Sequence, residues 1–518
     1  MSRRTRIILA LLLVAGVLGY RYFTHRANGD GTGPGRGVAA GGEAPPVAPT
    51  KLGTLSFNAC SLDSPFAAEA IEAQCTMLSV AENPAAPKGR KVALNIAWLP
   101  ATNDAEIEPD PVFFLAGGPG QAAVATYPQL DPAFKEARKH RHVILVDQRG
   151  TGESNSLNCK STNDSVDVTP MLAGQQAMTC RGVLGKRADL RFYTTTDAVR
   201  DLDSVRKAIG AATINLVGVS YGTRVAQQYA MRHPATTRSI VLDSIAPNAL
   251  YLGGVFARNL DDALALQFGR CSKDATCKSK LGDPRTQLDS LLAKLESDLP
   301  MVSYRDATTG VMREERLQPG HVIGLVRMYA YMPMAASLLP FMIDDANRGH
   351  YEGLMALSKM LTSELEDAMA MGMQLSVLCT EDGAGLRAGV AGTASDGANT
   401  LLGNDLVDYL AAQCKVWPKG VAPADFHAPL ATKVPALLIS GEYDPVTPPR
   451  YGDDVVKHLP NGRHLVLRGQ GHNVIGAGCM PKLLAQFLDT ADAQALDAKC
   501  LDTLAYVPPF TSFNGWEP

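Results

Sequence analysis

The sequence predicts an α/β protein whose largely parallel sheet is interrupted by an inserted, mostly helical domain. Its 518 residues are 46% hydrophobic and 19% charged, which is typical of a globular protein with a large core. Short apolar runs separated by helical patterns, as in buried parallel strands, occur before residue 243 and again after residue 433. The roughly 190 residues in between are far too many for an ordinary α/β connection and indicate an additional domain.

The N-terminal segment has the pattern of an export signal. Three arginines among the first six residues precede an uncharged apolar run over 7–20, which is shorter than the roughly 20 residues that a membrane-spanning helix needs. We interpret residues 1–27 as a signal peptide, with an uncleaved N-terminal anchor as the alternative because Arg21 and Arg26 follow the run. Residues 28–50, rich in Gly and Pro, are predicted to form a flexible linker. The expected location is periplasmic or extracellular, in the alternative case tethered to the inner membrane.

The chain contains ten cysteines, an even number that predicts a set of disulfides in an oxidising compartment. Short loops close at the smallest entropic cost, so each cysteine is expected to pair with its neighbour in the sequence. The predicted pairs are Cys60 with Cys75, Cys159 with Cys180, Cys271 with Cys277, Cys379 with Cys414, and Cys479 with Cys500. The alternative is that several of these cysteines are buried free thiols.

Strands and helices are predicted in the order that a largely parallel sheet requires. Two segments around a turn rich in Pro and Gly are predicted to open the sheet as an antiparallel pair, at 75–80 and 92–99. Buried strands are predicted at 112–115, 142–146, 214–219, 239–242 and 434–439. Helices are predicted between them at 197–209, with Thr196 as N-cap, and at 221–233, ended by Pro234.

These elements divide the chain into two parts beyond the linker. The α/β domain is predicted to comprise residues 51–245 and 430–518, and the inserted helical cap region residues 246–429. Within the cap region, helical patterns occur at 261–268, 322–331 and 354–371.

Ser220 is the candidate nucleophile because it lies in Gly218-Val219-Ser220-Tyr221-Gly222, where a predicted strand passes into a helix. A nucleophile elbow holds its serine in a strained turn and needs small residues two positions before and after it, since a Cβ there would clash with neighbouring elements. Gly218 and Gly222 meet this need. The alternative is a tight turn whose serine only caps the helix.

A serine nucleophile needs a base and an orienting acid, which in such folds follow it in the order acid, then histidine. His472, in a Gly-rich loop, is the candidate base, because His458 and His464 lie in regular elements and have ordinary structural interpretations. Asp444, in the turn after the last predicted strand, is the candidate acid. Asp243 at the end of the preceding strand is the alternative acid, and Glu442 is a weaker one.

The oxyanion of an acyl-transfer intermediate needs main-chain N–H donors, usually from the residue after the serine and from a loop that follows an earlier strand. Tyr221 supplies the first. Gly118, in Gly117-Gly118-Pro119-Gly120, is the expected second donor because Pro119 has no N–H, and Gly117 is the next choice. An ordinary Pro/Gly turn is the alternative interpretation.

These motifs, together with Asp147-Gln148-Arg149-Gly150-Thr151-Gly152, resemble those of the prolyl and tripeptidyl aminopeptidase group of α/β-hydrolases over roughly residues 52–510. The resemblance implies the α/β-hydrolase fold, Ser220 as nucleophile, Asp444 as acid, His472 as base, and the Gly118 and Tyr221 amides as oxyanion donors. Ala116 stands where many prolyl aminopeptidases have His, and the elbow differs from their Gly-Gly-Ser-Trp-Gly. Both departures favour the tripeptidyl branch.

An aminopeptidase must also recognise a free N-terminal ammonium, for which a buried carboxylate is a suitable partner. The segment that ends in Cys379-Thr380-Glu381-Asp382 resembles part of the tripeptidyl branch, so Glu381 and Asp382 are the candidate substrate-binding residues. A solvated acidic turn is the alternative. The apolar run 328–339 could line the acyl pocket or form the core of the cap.

The sequence therefore favours an exported serine aminopeptidase that acts on peptides with a free N-terminus. A carboxylic ester hydrolase with the same triad is the alternative, since fold alone does not fix the substrate. A catalytically silent binding module is disfavoured because Ser220, Asp444 and His472 are all present. No metal-binding motif is found and no cofactor is expected. A net charge of −3 without a basic cluster makes nucleic acid an unexpected partner.

Overall fold

The computed structural model describes residues 49–515, apart from 64–69, 104, 160–168, 308, 388–396, 398 and 513. The predicted signal peptide or anchor at 1–27 and the predicted linker up to residue 48 lie outside the described residues. Within the described ranges, no helix has both the length and the apolar character that a membrane crossing requires.

The described residues contain twelve strands, ten of which form one sheet. Their bounds are β1 (Thr50–Leu52), β2 (Leu55–Leu62), β3 (Ile71–Ala81), β4 (Lys91–Leu99), β5 (Val112–Leu115), β6 (Val143–Val146), β7 (Ile214–Val219), β8 (Thr237–Asp243), β9 (Met301–Arg305), β10 (Met312–Arg316), β11 (Ala436–Gly441) and β12 (Gly462–Leu467). The order across the large sheet is β1-β2-β3-β4-β6-β5-β7-β8-β11-β12, and β9 and β10 form a separate hairpin. The first four strands and the β4-to-β6 pairing are antiparallel, and all later neighbours are parallel.

The apolar runs of the sequence become the central strands. Every residue of β5, β6, β7 and β11 is buried, as expected for parallel strands that are covered on both faces. The predicted opening pair is β3 and β4, and β1 and β2 extend it. The sequence analysis does not predict these two strands, because β1 has only three residues and β2 is half exposed and lacks a continuous apolar run.

The described residues contain fifteen α-helices. Their bounds are α1 (Ala123–Phe134), α2 (Pro170–Leu184), α3 (Thr195–Ala208), α4 (Tyr221–Arg232), α5 (Phe256–Lys273), α6 (Ala275–Leu281), α7 (Pro284–Ser297), α8 (Pro319–Tyr329), α9 (Pro333–Ala336), α10 (Leu339–Asn347), α11 (Glu352–Ala368), α12 (Met371–Val377), α13 (Asp405–Val416), α14 (Pro449–Val456) and α15 (Met480–Thr490). Leu378–Asp382 continues α12 as a π-helical turn. The predicted N-cap of α3 at Thr196 is wrong: Thr194 caps this helix because its hydroxyl accepts from the Asp197 N–H, and the Asp197 carboxylate accepts from the Thr194 N–H.

The residues between β8 and β11 supply nine of these helices and the β9–β10 hairpin. Their first part, from α5 to α11, packs around a hydrophobic cluster of its own that includes Leu260, Leu288, Val326 and Met355. Their last part does not belong to this cluster: α12 and α13 pack into the main core beside the sheet through residues such as Met373 and Leu410.

All ten cysteines form disulfides, and the five predicted pairs are confirmed. The pair Cys379–Cys414 matters for the site described below, because it joins the π-helical turn after α12 to α13.

The carboxyl ends of β5, β7, β8 and β11 lie side by side, because these strands are parallel neighbours in the sheet. Loops at this edge of an α/β sheet are the usual place for a binding site. Four candidate residues lie at these strand ends. Asp243 is the last residue of β8, Ser220 directly follows β7, and Gly118 and Asp444 lie three residues after the ends of β5 and β11.

Candidate active site

Ser220 stands in a strained turn between β7 and α4. Its φ of 56° and ψ of −122° lie in a region that residues with a side chain rarely adopt. The glycines on either side are required by close packing: a Cβ on Gly222 would lie 2.2 Å from the carbonyl oxygen of Leu115, and one on Gly218 would lie 2.4 Å from the Gly222 oxygen. The local geometry is that of a nucleophile elbow rather than of a serine cap, since the Ser220 side chain makes no capping hydrogen bond.

His472 and Asp444 form a buried hydrogen-bonded pair. Nδ1 of His472 lies 2.8 Å from Oδ2 of Asp444, and the two side chains are 5% and 0% exposed. An ionised carboxylate can only accept hydrogen bonds, so Nδ1 carries a proton and Nε2 of the neutral ring has a free lone pair. The ring is thereby held in the tautomer that a general base needs.

The Asp444 carboxylate is itself held by the turn that follows it. Oδ1 accepts the Val446 and Thr447 N–H groups at 2.8 Å each, and Oδ2 accepts the Thr447 hydroxyl at 2.9 Å. Burial by itself would raise the pKa of Asp444, but His472 and these donors outweigh burial and lower it. Burial would likewise lower the pKa of His472, yet the attraction of Asp444, with a smaller contribution from Asp243, raises it.

One predicted oxyanion donor, Tyr221, is the first residue of α4, and the other, Gly118, lies on the loop after β5. The N–H of Tyr221 belongs to the first turn of α4, where main-chain N–H groups have no partner within the helix. Gly117 lies directly beside the nucleophile, because a Cβ placed on it would be 3.1 Å from the Ser220 Cβ. Gly118 follows with a φ of +108°, a conformation that favours glycine.

Two parts of the segment between β8 and β11 border the site. The Tyr331 carbonyl accepts the main-chain N–H of His472 at 2.9 Å, and the two rings contact edge to face with 5.1 Å between centroids. On the other side, the Ala370 N–H donates to the Gly120 carbonyl at 3.0 Å. The methyl group of Met369 lies 3.2 Å from the point where a Gly118 Cβ would stand. The inserted segment therefore contacts both the histidine loop and the oxyanion loop.

The apolar run 328–339 contributes to the core of the inserted segment, one of the two interpretations that the sequence left open. Tyr329, Ala336 and Leu339 belong to the cluster inside the inserted segment. Met332, just before α9, and Met334, within it, are about half exposed, at 52% and 54%, and a role in the acyl pocket stays a prediction.

Glu381 and Asp382 are buried and bonded inside the protein. Asp382 faces Arg224, with Nη1 3.0 Å from each carboxylate oxygen and neither side chain exposed. Glu381 accepts the N–H of Thr195 at 2.6 Å and its hydroxyl at 2.8 Å. Burial, reinforced by the neighbouring Asp382 charge, raises the pKa of Glu381 to about 8. The alternative interpretation, a solvated acidic turn, is wrong because both side chains are buried. The role of Glu381 and Asp382 in binding a substrate ammonium stays a prediction, which their internal hydrogen bonds disfavour.

The alternative acids and bases have other partners. The Asp243 carboxylate accepts the N–H groups of Val474 and Ile475. Glu442 accepts the N–H of Gly469 at 2.7 Å. The His464 ring lies between Asp453 and Ser440, and His458 is exposed.

Sequence reasoning missed three residues that support the site. Thr447 could have been found, because an aspartate followed three residues later by threonine is a common turn pattern. Thr195, which links Glu381 to the Tyr221 hydroxyl, and Tyr331, which binds the His472 N–H, leave no such local signal because their partners are remote in sequence.

No cluster of three or more His, Cys, Asp or Glu side chains that could hold a metal ion occurs within the ranges that the structure describes. The groups that the structure brings to this sheet edge are a serine in a strained turn, a histidine bonded to an aspartate, and main-chain N–H groups at the start of α4.

Two family models and several curated relatives match this chain. The model of the α/β-hydrolase fold family matches residues 110–268, and the model of the TAP-like protein family matches residues 399–500. The serine protease Hip1 of Mycobacterium tuberculosis is 24% identical over 490 residues, which cover 88% of this chain and 92% of that protein. The tripeptidyl aminopeptidase of Streptomyces lividans is 26% identical over 251 residues, or 43% of this chain and 45% of the relative. A probable proline iminopeptidase of Leptolyngbya boryana is 31% identical over 136 residues, or 26% of this chain and 31% of the relative.

The predicted fold and the predicted resemblance are thus confirmed. The sheet order, the strand-to-helix elbow and the family models agree on the same architecture. The chain is a serine hydrolase of the α/β-hydrolase fold that is related to the prolyl and tripeptidyl aminopeptidase group.

Proposed function

We propose that the protein is an exported serine aminopeptidase that hydrolyses peptide bonds near a free N-terminus, in the manner of tripeptidyl or prolyl aminopeptidases. The observation that carries the proposal is the hydrogen bond from Nδ1 of His472 to Asp444. It leaves Nε2 free to accept a proton at the same sheet edge that carries the strained Ser220.

In the proposed reaction the Ser220 hydroxyl attacks the scissile carbonyl carbon and its proton passes to Nε2 of His472. The negative charge on the carbonyl oxygen is stabilised by the N–H groups of Tyr221 and Gly118. His472 then gives the proton to the leaving amine, and an acyl-enzyme remains. Water, activated by the same histidine, hydrolyses this ester and restores Ser220.

The choice of a peptide substrate is supported by the relatives, which include a serine protease that matches most of the chain and two kinds of aminopeptidase. We further propose that residues 246–429 act as a cap over the catalytic residues. The contacts of Tyr331 with the histidine loop and of Ala370 with the oxyanion loop support this role, since a covered site admits a chain end more readily than the middle of a folded chain.

The proposed location outside the cytoplasm is supported by the five disulfides. Such bonds persist in oxidising compartments and are rare in cytosolic proteins.

The decisive experiment compares matched substrates that differ only in the N-terminal amine. Tripeptidyl and prolyl p-nitroanilides are assayed with free and with acetylated N-termini, beside p-nitrophenyl butyrate as a simple ester. An aminopeptidase should cleave the free-amine peptides with a kcat/KM at least about a hundred-fold above the acetylated ones, because a desolvated ammonium pair contributes several kcal/mol. Efficient ester hydrolysis without cleavage of any peptide would instead identify a carboxylic ester hydrolase. The Ser220→Ala variant is the control in every assay.

A further inference from the structure

Asp243, which the proposed mechanism does not use, contacts both halves of the candidate active site. Its main-chain carbonyl accepts the N–H of Ser220 at 2.8 Å, on the nucleophile side. Its carboxylate, which is completely buried, accepts the N–H of Val474 at 3.0 and 2.9 Å and the N–H of Ile475 at 2.9 Å. One residue therefore joins the elbow to the loop that carries His472.

Ser244 completes this contact. Its hydroxyl accepts the N–H of Asn473 at 2.8 Å and lies 3.3 Å from Oδ1 of Asp243. The three consecutive N–H groups that follow His472 are thus all bound by two adjacent side chains at the end of β8. Because buried main-chain N–H groups need acceptors, these hydrogen bonds stabilise the observed conformation of the loop.

Backbone strain is concentrated at the same place. Among the residues that the structure describes, five other than glycine have a positive φ, and three of them are Ser220 at 56°, Ser244 at 60° and Asn473 at 67°. Such conformations persist only where the surrounding contacts impose them, and they cluster at functional sites. The Asp243 and Ser244 contacts are the ones that connect these three residues.

We propose that Asp243, assisted by Ser244, is a positioning residue for the general base: it fixes the main chain after His472 relative to Ser220, while Asp444 fixes the ring. This inference rests on the proposed catalytic role of Ser220 and His472. The division of labour is physical, because a side-chain acceptor on the ring sets its tautomer and rotation, whereas acceptors on the main chain set where the ring stands. A displacement of about 1 Å can cost on the order of a hundred-fold in rate.

The charge of Asp243 also acts on His472. Burial raises the pKa of Asp243 to about 6, although the Val474 and Ile475 N–H groups and His472 oppose the shift. The charged groups that face it are His472, which favours its ionised form, and Asp444, which disfavours it. In return, ionised Asp243 favours the protonated form of His472.

The test compares Asp243→Asn with Ser244→Gly, using p-nitrophenyl butyrate hydrolysis as the readout so that it does not depend on the peptide preference. Asparagine replaces one acceptor oxygen by an N–H donor that faces the Val474 and Ile475 N–H groups. We expect kcat to fall about ten- to a hundred-fold with KM within two-fold, and the acid limb of kcat/KM to move to lower pH, because a charge that favours protonated His472 is gone. Glycine at 244 tolerates the positive φ but removes the acceptor for Asn473, so kcat should fall several-fold with the acid limb unmoved.

Asp453→Asn is the matched control, since Asp453 bonds the His464 ring with a side chain that is 62% exposed. It should leave kcat and the pH profile unchanged. A wild-type kcat and pH profile in Asp243→Asn, with Ser220→Ala inactive, would overturn the positioning role and leave the proposed function intact. A loss as large as that of Asp444→Asn would also overturn it, by making Asp243 the catalytic acid. If Asp243→Asn shows no folded state in thermal unfolding, Ser244→Gly decides: a several-fold loss of kcat supports the positioning role, and a wild-type kcat overturns it. Activity of Ser220→Ala would instead refute the proposed function.

Discussion

The Glu381 carboxylate accepts two hydrogen bonds from Thr195, one from its N–H and one from its hydroxyl. The Thr195 oxygen also lies 2.6 Å from the hydroxyl of Tyr221, the residue directly after the candidate nucleophile. A disulfide at Cys379 fastens the turn that carries Glu381. The segment between β8 and β11 is therefore connected, through α3, to the start of α4 and to the N–H that would bind the oxyanion.

This connection predicts how loss of the acidic pair affects different substrates. Because Glu381 and Asp382 are both bonded internally, Glu381→Gln and Asp382→Asn should lower the cleavage of a free-amine peptide and of p-nitrophenyl butyrate by the same factor. Asp382→Asn should also reduce the free energy of unfolding by about 3 to 5 kcal/mol, because Arg224 loses its buried partner. The measurements are kcat/KM for both substrates, at a temperature below the thermal unfolding midpoint of each variant, and the free energy of unfolding from urea titration. A loss confined to the free-amine peptide would show that one of these carboxylates receives the substrate ammonium.

Ser220→Ala should lower kcat by at least about a thousand-fold, because the acyl-enzyme no longer forms, while the unfolding midpoint stays near that of the wild type. Fluorophosphonate labelling followed by mass spectrometry of the labelled peptide tests the same residue directly. Label on any other serine, or near-normal turnover by the variant, would remove Ser220 from the mechanism.

Replacing Asp444 and replacing Glu442, the two acidic residues of the turn after β11, should lower kcat by very different factors. Asp444→Asn leaves His472 free to adopt the wrong tautomer and should cost about a thousand- to ten-thousand-fold in kcat. Glu442→Gln keeps one acceptor for the Gly469 N–H and should cost less than about ten-fold. Steady-state kinetics of the two variants at one pH decides the ranking, and an equal loss in both would contradict the assignment of the acid.

The pH dependence should reflect the raised pKa of His472. A general base must be unprotonated, so activity falls as the pH falls through its pKa. Asp444 and Asp243 stabilise the protonated ring, so the acid-side midpoint of kcat/KM should lie above about 6.5, the value for an unperturbed histidine. A pH profile with a stable ester substrate measures it. A midpoint at or below 6.5 would mean that burial, which acts in the opposite direction, prevails.

The disulfide Cys379–Cys414 should support activity as well as stability. Replacing both cysteines by serine should lower the free energy of unfolding by roughly 2 to 5 kcal/mol. It should also lower kcat more than the same change at Cys271–Cys277, because only the former holds the turn that bonds Thr195. Equal effects on kcat in the two double variants would argue against the connection to Tyr221.

Local pattern alone determined the framework of this protein. Buried strands appear as continuous apolar runs, an elbow requires glycines on both sides of its serine, and sequential cysteines close the shortest loops, so β5, β7, Ser220 and all five disulfides could be predicted from the sequence. His472 and Asp444 could also be selected, because their turns follow the last central strand in the expected order.

Only the tertiary structure could assign the remaining carboxylates. Asp243, Glu381, Asp382 and Asp444 all lie next to short apolar runs, and nothing local distinguishes an acid that orients the His472 ring from one that holds a loop or neutralises Arg224. The partners that decide these roles, which are His472, Thr195, Arg224 and the Val474 and Ile475 N–H groups, lie between 28 and 232 residues away in sequence. The role of a buried charge is set by the donor that packing brings within hydrogen-bond distance, and such long-range contacts exist only once the chain has folded.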